Sequence, residues 1–208
     1  MKLLHVDASA KGERSNSRAL GRFFIQQLQE QGLTLEIDYL DLAQEAPAAV
    51  TEAFAIATYT APEARTAAMR ETLAASDGLC QRLLDADACL FAMPMYNWSM
   101  PSTFKAYIDN ITRTELTYHN TAQGIVGQLS RQKVLFLTSR GADLRPGTPL
   151  AWMDALTPSL RAAFAFIGVQ QPQFVDAQPL QFADPEARSE ALERARGELQ
   201  QLARQWAA

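Results

Sequence analysis

The sequence has few of the residues that build metal sites, disulfide frameworks or nucleic-acid surfaces. Its 208 residues include only two cysteines, Cys80 and Cys89, and two histidines. The cysteines lack metal-ligand spacing, which favours reduced structural thiols in a cytoplasmic protein. The net charge is −4 and no cluster of Lys and Arg stands out, so we expect neither nucleic acid nor an anionic membrane as the main partner.

Long apolar runs and glycine-rich nucleotide motifs are also absent. No run approaches the roughly 20 apolar residues of a spanning helix, and no signal peptide pattern opens the chain, so we expect no membrane insertion. The loop Ala8–Gly12 contains neither GxGxxG nor GxxxxGK[ST], which disfavours a dinucleotide-binding fold and a P-loop NTPase. A phosphoacceptor receiver domain is disfavoured because Asp7 lacks a paired acidic residue and a strand-end lysine.

The composition is that of a globular protein with a sizeable core. Hydrophobic residues make up 48% and charged residues 20% of the chain. We expect one domain over residues 1–208. Apolar runs predict strands at Lys2–Asp7, Leu33–Leu40, Ala88–Ala92, Lys133–Thr138 and Phe174–Ala177.

Helical patterns separate these strands. They follow Ser15–Ser17, span Glu63–Asp85, follow Pro101, span Leu150–Ile167 with a kink or restart at Pro158, and follow Asp184. The pattern of residues 114–127 does not continue the helix after Pro101 and predicts a hairpin or a lid. The order predicts an α/β flavodoxin-like fold, with a five-stranded parallel sheet of order 2-1-3-4-5, helices on both faces and a small hairpin excursion.

The most unusual turn is Met93-Pro94-Met95-Tyr96-Asn97-Trp98, after the third strand. Rings and thioethers here suit the face of a flat heteroaromatic ligand, while Asn97 and backbone N–H groups suit its polar edge. A flavin matches that description. The alternative is a proline-bounded loop whose aromatic residues fill the space between strand and helix.

The loop after the first strand predicts an anion site. Ser9, Ser15, Asn16 and Ser17 suit a phosphate at a helix start, with Lys11 and Arg14 near in sequence. The alternative is that Ser15 or Ser17 merely caps the helix.

A third turn, Ser139-Arg140-Gly141-Ala142, follows the fourth strand. Gly141 permits a positive φ or a close backbone approach, and Arg140 offers charge to an electron-rich ligand edge. The alternative is an ordinary turn with a solvated arginine. Because the first, third and fourth strands end at one edge of the sheet, all three loops are expected to meet in one crevice, and together they favour FMN.

The chain resembles the FMN-dependent NADH:quinone oxidoreductase and azoreductase family of flavodoxin-like fold, over essentially its whole length. The resemblance rests on Met1–Ser9, Ser15–Ser17, Met93–Trp98 and Ser139–Gly141. It implies non-covalent FMN with its phosphate at Ser9 and Ser15–Ser17, and its ring against Met95–Trp98 and Ser139–Ala142.

The resemblance further implies a homodimer with two sites at the interface and a ping-pong reaction. NAD(P)H reduces the flavin, and a quinone or azo compound then takes two electrons. The flavin carries the chemistry, so no protein residue is assigned as catalytic. Candidates for lining the substrate site are Tyr118, His119 and Phe164, although an exposed hairpin histidine and a core phenylalanine are the simpler interpretations. His5 is expected to be a core histidine whose ring nitrogens are satisfied by hydrogen bonds.

The chain departs from the family pattern at Ala142, where glycine is frequent, at Trp98, where phenylalanine is commoner, and in residues 143–149. These positions put acceptor preference in doubt more than flavin binding. Two other functions stay open at this stage. One is a flavodoxin-type one-electron carrier, and the other is a flavin-binding regulatory protein.

Overall fold

The computed structural model describes residues 1–208 and contains two sheets and six helices. The strands are β1 Lys2–Asp7, β2 Glu36–Asp41, β3 Ala88–Pro94, β4 Tyr118–Thr121, β5 Gly124–Gly127, β6 Lys133–Ser139 and β7 Gln173–Ala177. The helices are α1 Asn16–Glu30, α2 Glu52–Tyr59, α3 Ala67–Asp85, α4 Ser102–Ile111, α5 Leu156–Phe166 and α6 Pro185–Ala207. None of the helices is long and apolar enough to cross a membrane.

Five parallel strands form the main sheet in the order β2-β1-β3-β6-β7. This confirms the predicted flavodoxin-like order, because β4 and β5 pair only with each other in a separate antiparallel sheet. The direction in which successive strands are added to the sheet reverses between β1 and β3. Because β1, β3 and β6 are parallel neighbours, their carboxyl ends lie at one edge.

The central strand β3 is buried on both faces, and its side chains alternate between two cores. Cys89, Phe91 and Met93 pack on one face with α3, α4 and α5. Ala88, Leu90 and Ala92 pack on the other with α1 and α6. An apolar run without polar alternation therefore folds as a strand covered on both sides.

Local capping explains where several predicted boundaries were wrong. The helix predicted from Glu63 begins at Ala67, because the Thr66 side chain accepts the N–H of Met69. The helix predicted from Leu150 begins at Leu156, where Asp154 Oδ1 accepts two backbone N–H groups. Pro158 thus lies in the first turn of α5, where an N–H has no intrahelical partner to lose.

The hairpin β4–β5 is attached to the end of α5 by direct backbone contact. A Cβ atom on Gly127 would lie 2.1 Å from Gly168 N and 2.2 Å from Ile167 C. Leu129 N–H also donates to Ile167 O at 2.9 Å. Glycine is therefore required at position 127, because a Cβ there would meet main-chain atoms, which cannot move aside as a flexible side chain would.

We expect Gly127→Ala to lower the free energy of unfolding by about 2 kcal/mol, because the added methyl group overpacks a backbone contact. Chemical denaturation measures this change. Gly197→Ala in α6 is the control, since its Cβ would meet nothing within 4 Å and should raise stability by roughly 0.5–1 kcal/mol. Equal stability of Gly127→Ala and the unmodified protein would contradict the contact.

Candidate functional site

The three loops singled out in the sequence form one crevice at the carboxyl edge of the sheet. It consists of a cavity of about 520 Å³ and a second of about 340 Å³. Met95, Tyr96, Gly141 and Gln181 line both cavities, so the two are continuous. The larger cavity is mostly apolar and the smaller is mostly polar, with Lys11, Arg14 and Arg188 on its walls.

The polar cavity has the features of an anion site. Ser15 caps α1 by accepting the N–H of Arg18 at 3.3 Å, and its hydroxyl lies 3.0 Å from that of Ser17. The N–H groups of Asn16 and Ser17 donate to no acceptor in the chain. Free N–H groups at the start of a 15-residue helix carry partial positive charge. The capping alternative therefore holds for Ser15 but leaves two donors for a ligand.

Arg188 is a further cation at this cavity, beside Lys11, Arg14 and Arg140, and no pattern in the sequence indicated it. It lies in the first turns of α6, far along the chain from Lys11 and Arg14. Only the packing of α6 against α1 brings its side chain to the crevice. Because α6 contains several arginines, no spacing pattern in its sequence distinguishes Arg188 from the others.

Below this loop, Arg18 is buried and holds the backbone in place. Its guanidinium donates to Ser9 O at 2.7 Å and to both oxygens of Asp41, at 2.6 and 2.8 Å. It also donates to Tyr39 Oη at 3.0 Å, and Tyr39 Oη donates to Asp7 at 2.9 Å. The role of Arg18 is not visible in the sequence, because its partners lie in β1, in the loop after β1 and in β2.

This network shifts the pKa values of Tyr39 and Asp41. Burial and the hydrogen bond to Asp7 raise the pKa of Tyr39 to about 12. Burial alone would raise the pKa of Asp41, but hydrogen bonds from Arg18 and the Ala43 N–H outweigh it and lower that pKa. His5 is buried in the core as expected, but its Nε2 is not satisfied, because it lies 3.3 Å from Asp7 Oδ1 without the alignment of a hydrogen bond.

The turn after β3 is a tight reversal with two residues in the left-handed region. Tyr96 N–H donates to Ser99 O at 2.9 Å, and Ser99 N–H returns a bond to Tyr96 O at 3.0 Å. Between them Asn97 has φ 48° and Trp98 has φ 69°. Asparagine tolerates this conformation, but tryptophan adopts it at a cost. This strained turn places Tyr96, Asn97 and Trp98 on the wall of the larger cavity.

The turn after β6 is joined to the β3 turn by one hydrogen bond, from Met95 N–H to Ser139 O at 2.8 Å. Gly141 does not have a positive φ, so only the close-approach reason for glycine holds. A Cβ there would lie 3.3 Å from both Gln181 Cβ and Phe182 Cε2. The Gly141 N–H donates to no group in the chain and is available to a ligand.

Arg140 is neither a solvated arginine nor a free charge aimed at a ligand. Its side chain is 1% exposed and donates to Thr138 Oγ1, Thr157 Oγ1, Asp154 and Asp176, at 2.8 to 3.0 Å. These bonds use four of the five N–H donors of a guanidinium. Arg140 lines the polar cavity, but two carboxylates hold its charge, so that charge is not left free for a ligand edge.

Asp154 links the turn after β6 to the turn after β3. One of its oxygens accepts from Arg140 and the other caps α5, while the next N–H, of Ala155, donates to Trp98 O at 3.2 Å. Burial would raise the pKa of Asp154, but hydrogen bonds from Thr157 and Arg140 lower it. Burial raises the pKa of Asp176, against the attraction of Arg140. These buried charges therefore fix the spacing of the turns.

The three residues predicted to line a substrate site lie outside the crevice. Phe164 is fully buried, with its ring 5.0 Å from that of Phe91, and is a core residue. Tyr118 packs on Phe166 at 4.8 Å between ring centres, and His119 Nδ1 lies 3.3 Å from Glu115 Oε2 on the hairpin. The fold of one chain does not bring these residues to the three loops.

Trp98→Gly should be more stable to unfolding than Trp98→Ala by about 1 kcal/mol. Both variants lose the indole ring, and only glycine relieves the left-handed strain, so their difference isolates the backbone term. Paired urea denaturation curves measure it. Alanine ranking equal to or above glycine would contradict the strain at this position.

Comparison with known proteins places the chain in a family. Residues 1–203 match a family described as having a flavodoxin-like fold. The chain is 38% identical over 204 residues to the FMN-dependent NADH:quinone oxidoreductase of Nostoc punctiforme, covering 98% of each protein. It is 34% identical to the protein of the same name from Hydrogenovibrio crunogenus, covering 95% of this chain and 97% of that protein.

Solved structures share the same architecture. An azoreductase from Bacillus anthracis str. Sterne superposes with a TM-score of 0.89 at 24% identity, covering 99% of both chains. An FMN-dependent NADH-azoreductase from Bacillus anthracis str. Ames Ancestor, solved in complex with FMN, has a TM-score of 0.87 at 22% identity, covering 100% of this chain and 99% of that chain. At these identities the likeness establishes the fold. With the full-length relatives, it shows that this chain belongs to the FMN-dependent NADH:quinone oxidoreductase family.

Proposed function

We propose that this protein binds FMN in the crevice and transfers two electrons from NAD(P)H to quinones or aromatic azo compounds. The observation that carries the proposal is the continuity of an anion site with a slot lined by rings, within one crevice. The relatives are named as FMN-dependent NADH:quinone oxidoreductases, and the similar structures as azoreductases.

The polar cavity fits the phosphate of the cofactor. In this proposal the free N–H groups of Asn16 and Ser17 and the hydroxyls of Ser9, Ser15 and Ser17 are its donors. The side chains of Lys11, Arg14 and Arg188 would supply compensating charge. Arg18 acts from below by fixing the Ser9 carbonyl, which sets the shape of the loop before any ligand arrives.

The larger cavity fits the flat ring of the cofactor. Met95–Trp98 would form one wall, and Ser139–Ala142 would approach the ring with backbone. The absence of a side chain on Gly141 leaves room for Gln181 and Phe182 beside it. Its free N–H would donate to the N1–O2 edge of the ring, where negative charge develops on reduction. FMN, when bound, supplies the two-electron chemistry, so no residue of the chain is assigned as acid or base.

The donor and the acceptor would occupy the remaining part of the larger cavity in turn, which corresponds to a ping-pong mechanism. The walls of the cavity would hold each flat molecule over the ring. We assign no dinucleotide-specific site, because the chain has no glycine-rich fingerprint for one. The two cysteines are free and buried, and burial raises the pKa of Cys80 to about 12, as suits unreactive thiols in the cytoplasm.

We further propose that the protein is a homodimer. Large apolar side chains remain exposed on the hairpin, in the segment before α5 and at the end of α5: Ile125, Val126, Leu150, Trp152 and Phe166. Such surface is unusual for a monomer and is typical of an interface. A partner chain could also bring Tyr118 and His119 to a site that they do not reach within one chain. Sedimentation equilibrium is expected to give twice the mass of the chain.

Anaerobic reduction of the FMN-loaded protein tests the function. NADH should bleach the flavin band in a single two-electron phase without a radical signal in electron paramagnetic resonance, and benzoquinone should restore the band. Slow reduction with a persistent radical would indicate a one-electron carrier. Flavin that binds but is not reduced by NADH would indicate a regulatory protein.

Arg188→Ala should weaken binding of FMN about tenfold at low ionic strength, because an attraction of roughly 1.4 kcal/mol to the phosphate is removed. Riboflavin, which lacks the phosphate, should bind Arg188→Ala and the unmodified protein equally. Arg204→Ala, at the far end of the same helix, is the matched control. Equal weakening of both ligands by Arg188→Ala would place the phosphate elsewhere.

A further inference from the structure

Phe182 is a large apolar side chain that the fold leaves in solvent beside the crevice. It lies in the loop between β7 and α6, is 71% exposed, and lines the larger cavity. Neither the turn signals nor the motifs of the sequence indicated it. An exposed ring on a cavity wall is a candidate contact for a ligand, since burying a phenylalanine is favourable.

The backbone around Phe182 is fixed to the turn after β6. The carbonyl of Gly141 accepts N–H groups from Leu180 at 3.2 Å, Gln181 at 3.0 Å and Phe182 at 3.0 Å. The side chain of Leu180 is 5% exposed and anchors the loop in the core. Three hydrogen bonds to one carbonyl therefore hold the exposed ring at a defined place relative to Gly141.

The ring itself lies against the open side of Gly141. A Cβ on Gly141 would be 3.3 Å from Phe182 Cε2 and 3.5 Å from Cδ2, which is contact distance. Tyr96 and Trp98 line the same cavity from the other turn. The cavity thus has aromatic rings on two separate loops, and a flat ligand that enters it would contact both.

We propose that Phe182 is a specificity-determining residue that stacks against flat, fused-ring acceptors such as naphthoquinones. The inference rests on the proposed function and names the acceptor class for the same crevice. The overall reaction is NADH + H⁺ + quinone → NAD⁺ + hydroquinone, so two electrons and two protons reach the acceptor. Phe182 takes no part in these transfers and acts by orienting the acceptor ring.

The test compares two acceptors on FMN-loaded protein: 1,4-naphthoquinone, which is flat and aromatic, and ferricyanide, which is an octahedral anion. Phe182→Leu keeps apolar volume and removes the ring. It should raise KM for the naphthoquinone about fivefold to tenfold with little change in kcat, because one ring contact is lost. The ratio of kcat/KM for naphthoquinone to that for ferricyanide should fall by the same factor.

Two further variants separate stacking from a merely structural role. Phe182→Tyr retains the ring and should restore the ratio. Tyr59→Leu removes an equally exposed ring from α2, outside the crevice, and should leave the ratio at its original value. The fluorescence of bound FMN and the sedimentation mass are measured on every variant.

Several results would overturn the proposal. One is an unchanged ratio in Phe182→Leu when the unmodified protein turns over both acceptors. A second is an equal fall of kcat/KM with both acceptors in Phe182→Leu, accompanied by weakened FMN binding. A third is a change in the sedimentation mass of Phe182→Leu without a change in the ratio. Failure of the unmodified protein to reduce any acceptor would instead overturn the proposed function, and this inference with it.

Discussion

The crevice depends on one hydrogen bond, from Met95 N–H to Ser139 O, which continues the β3–β6 ladder beyond the last paired residues. Because the strands are parallel, the chain leaves both at the same edge and at the same height. The turn with Trp98 and the turn with Gly141 therefore begin side by side. The two cavities are continuous at this point, because Met95, Tyr96 and Gly141 line both of them.

Two buried arginines, Arg18 and Arg140, then hold the loops at this edge of the sheet in position. Arg18 holds the loop after β1 through Ser9 O, and Arg140 holds the turn after β6 against Asp154, whose neighbour Ala155 binds Trp98 O. Each guanidinium faces two carboxylates at low exposure. Removing one partner from such a cluster would leave a buried charge uncompensated. The free donors, by contrast, are backbone N–H groups, which cannot change their charge.

The sheet order, the three loops and most of their residues could be predicted because they rest on local signals. Apolar runs mark the strands, Ser15 marks a helix start, and the strand ends of a parallel sheet share an edge. Arg18, Phe182 and Arg188 could not be predicted, because their positions depend on contacts between distant elements. Arg140 was placed correctly in its turn, but its role was misjudged because Asp154 and Asp176 have no local relation to it. Strain at Trp98 is likewise invisible in the residue type.

A crystal structure of the protein grown with FMN would show whether the three loops form a single FMN site. We expect the phosphate within hydrogen-bonding distance of the Asn16 and Ser17 N–H groups, and the ring between Trp98 and Gly141. Density for the phosphate away from the start of α1, or for the ring outside the larger cavity, would show that the three loops do not form this site.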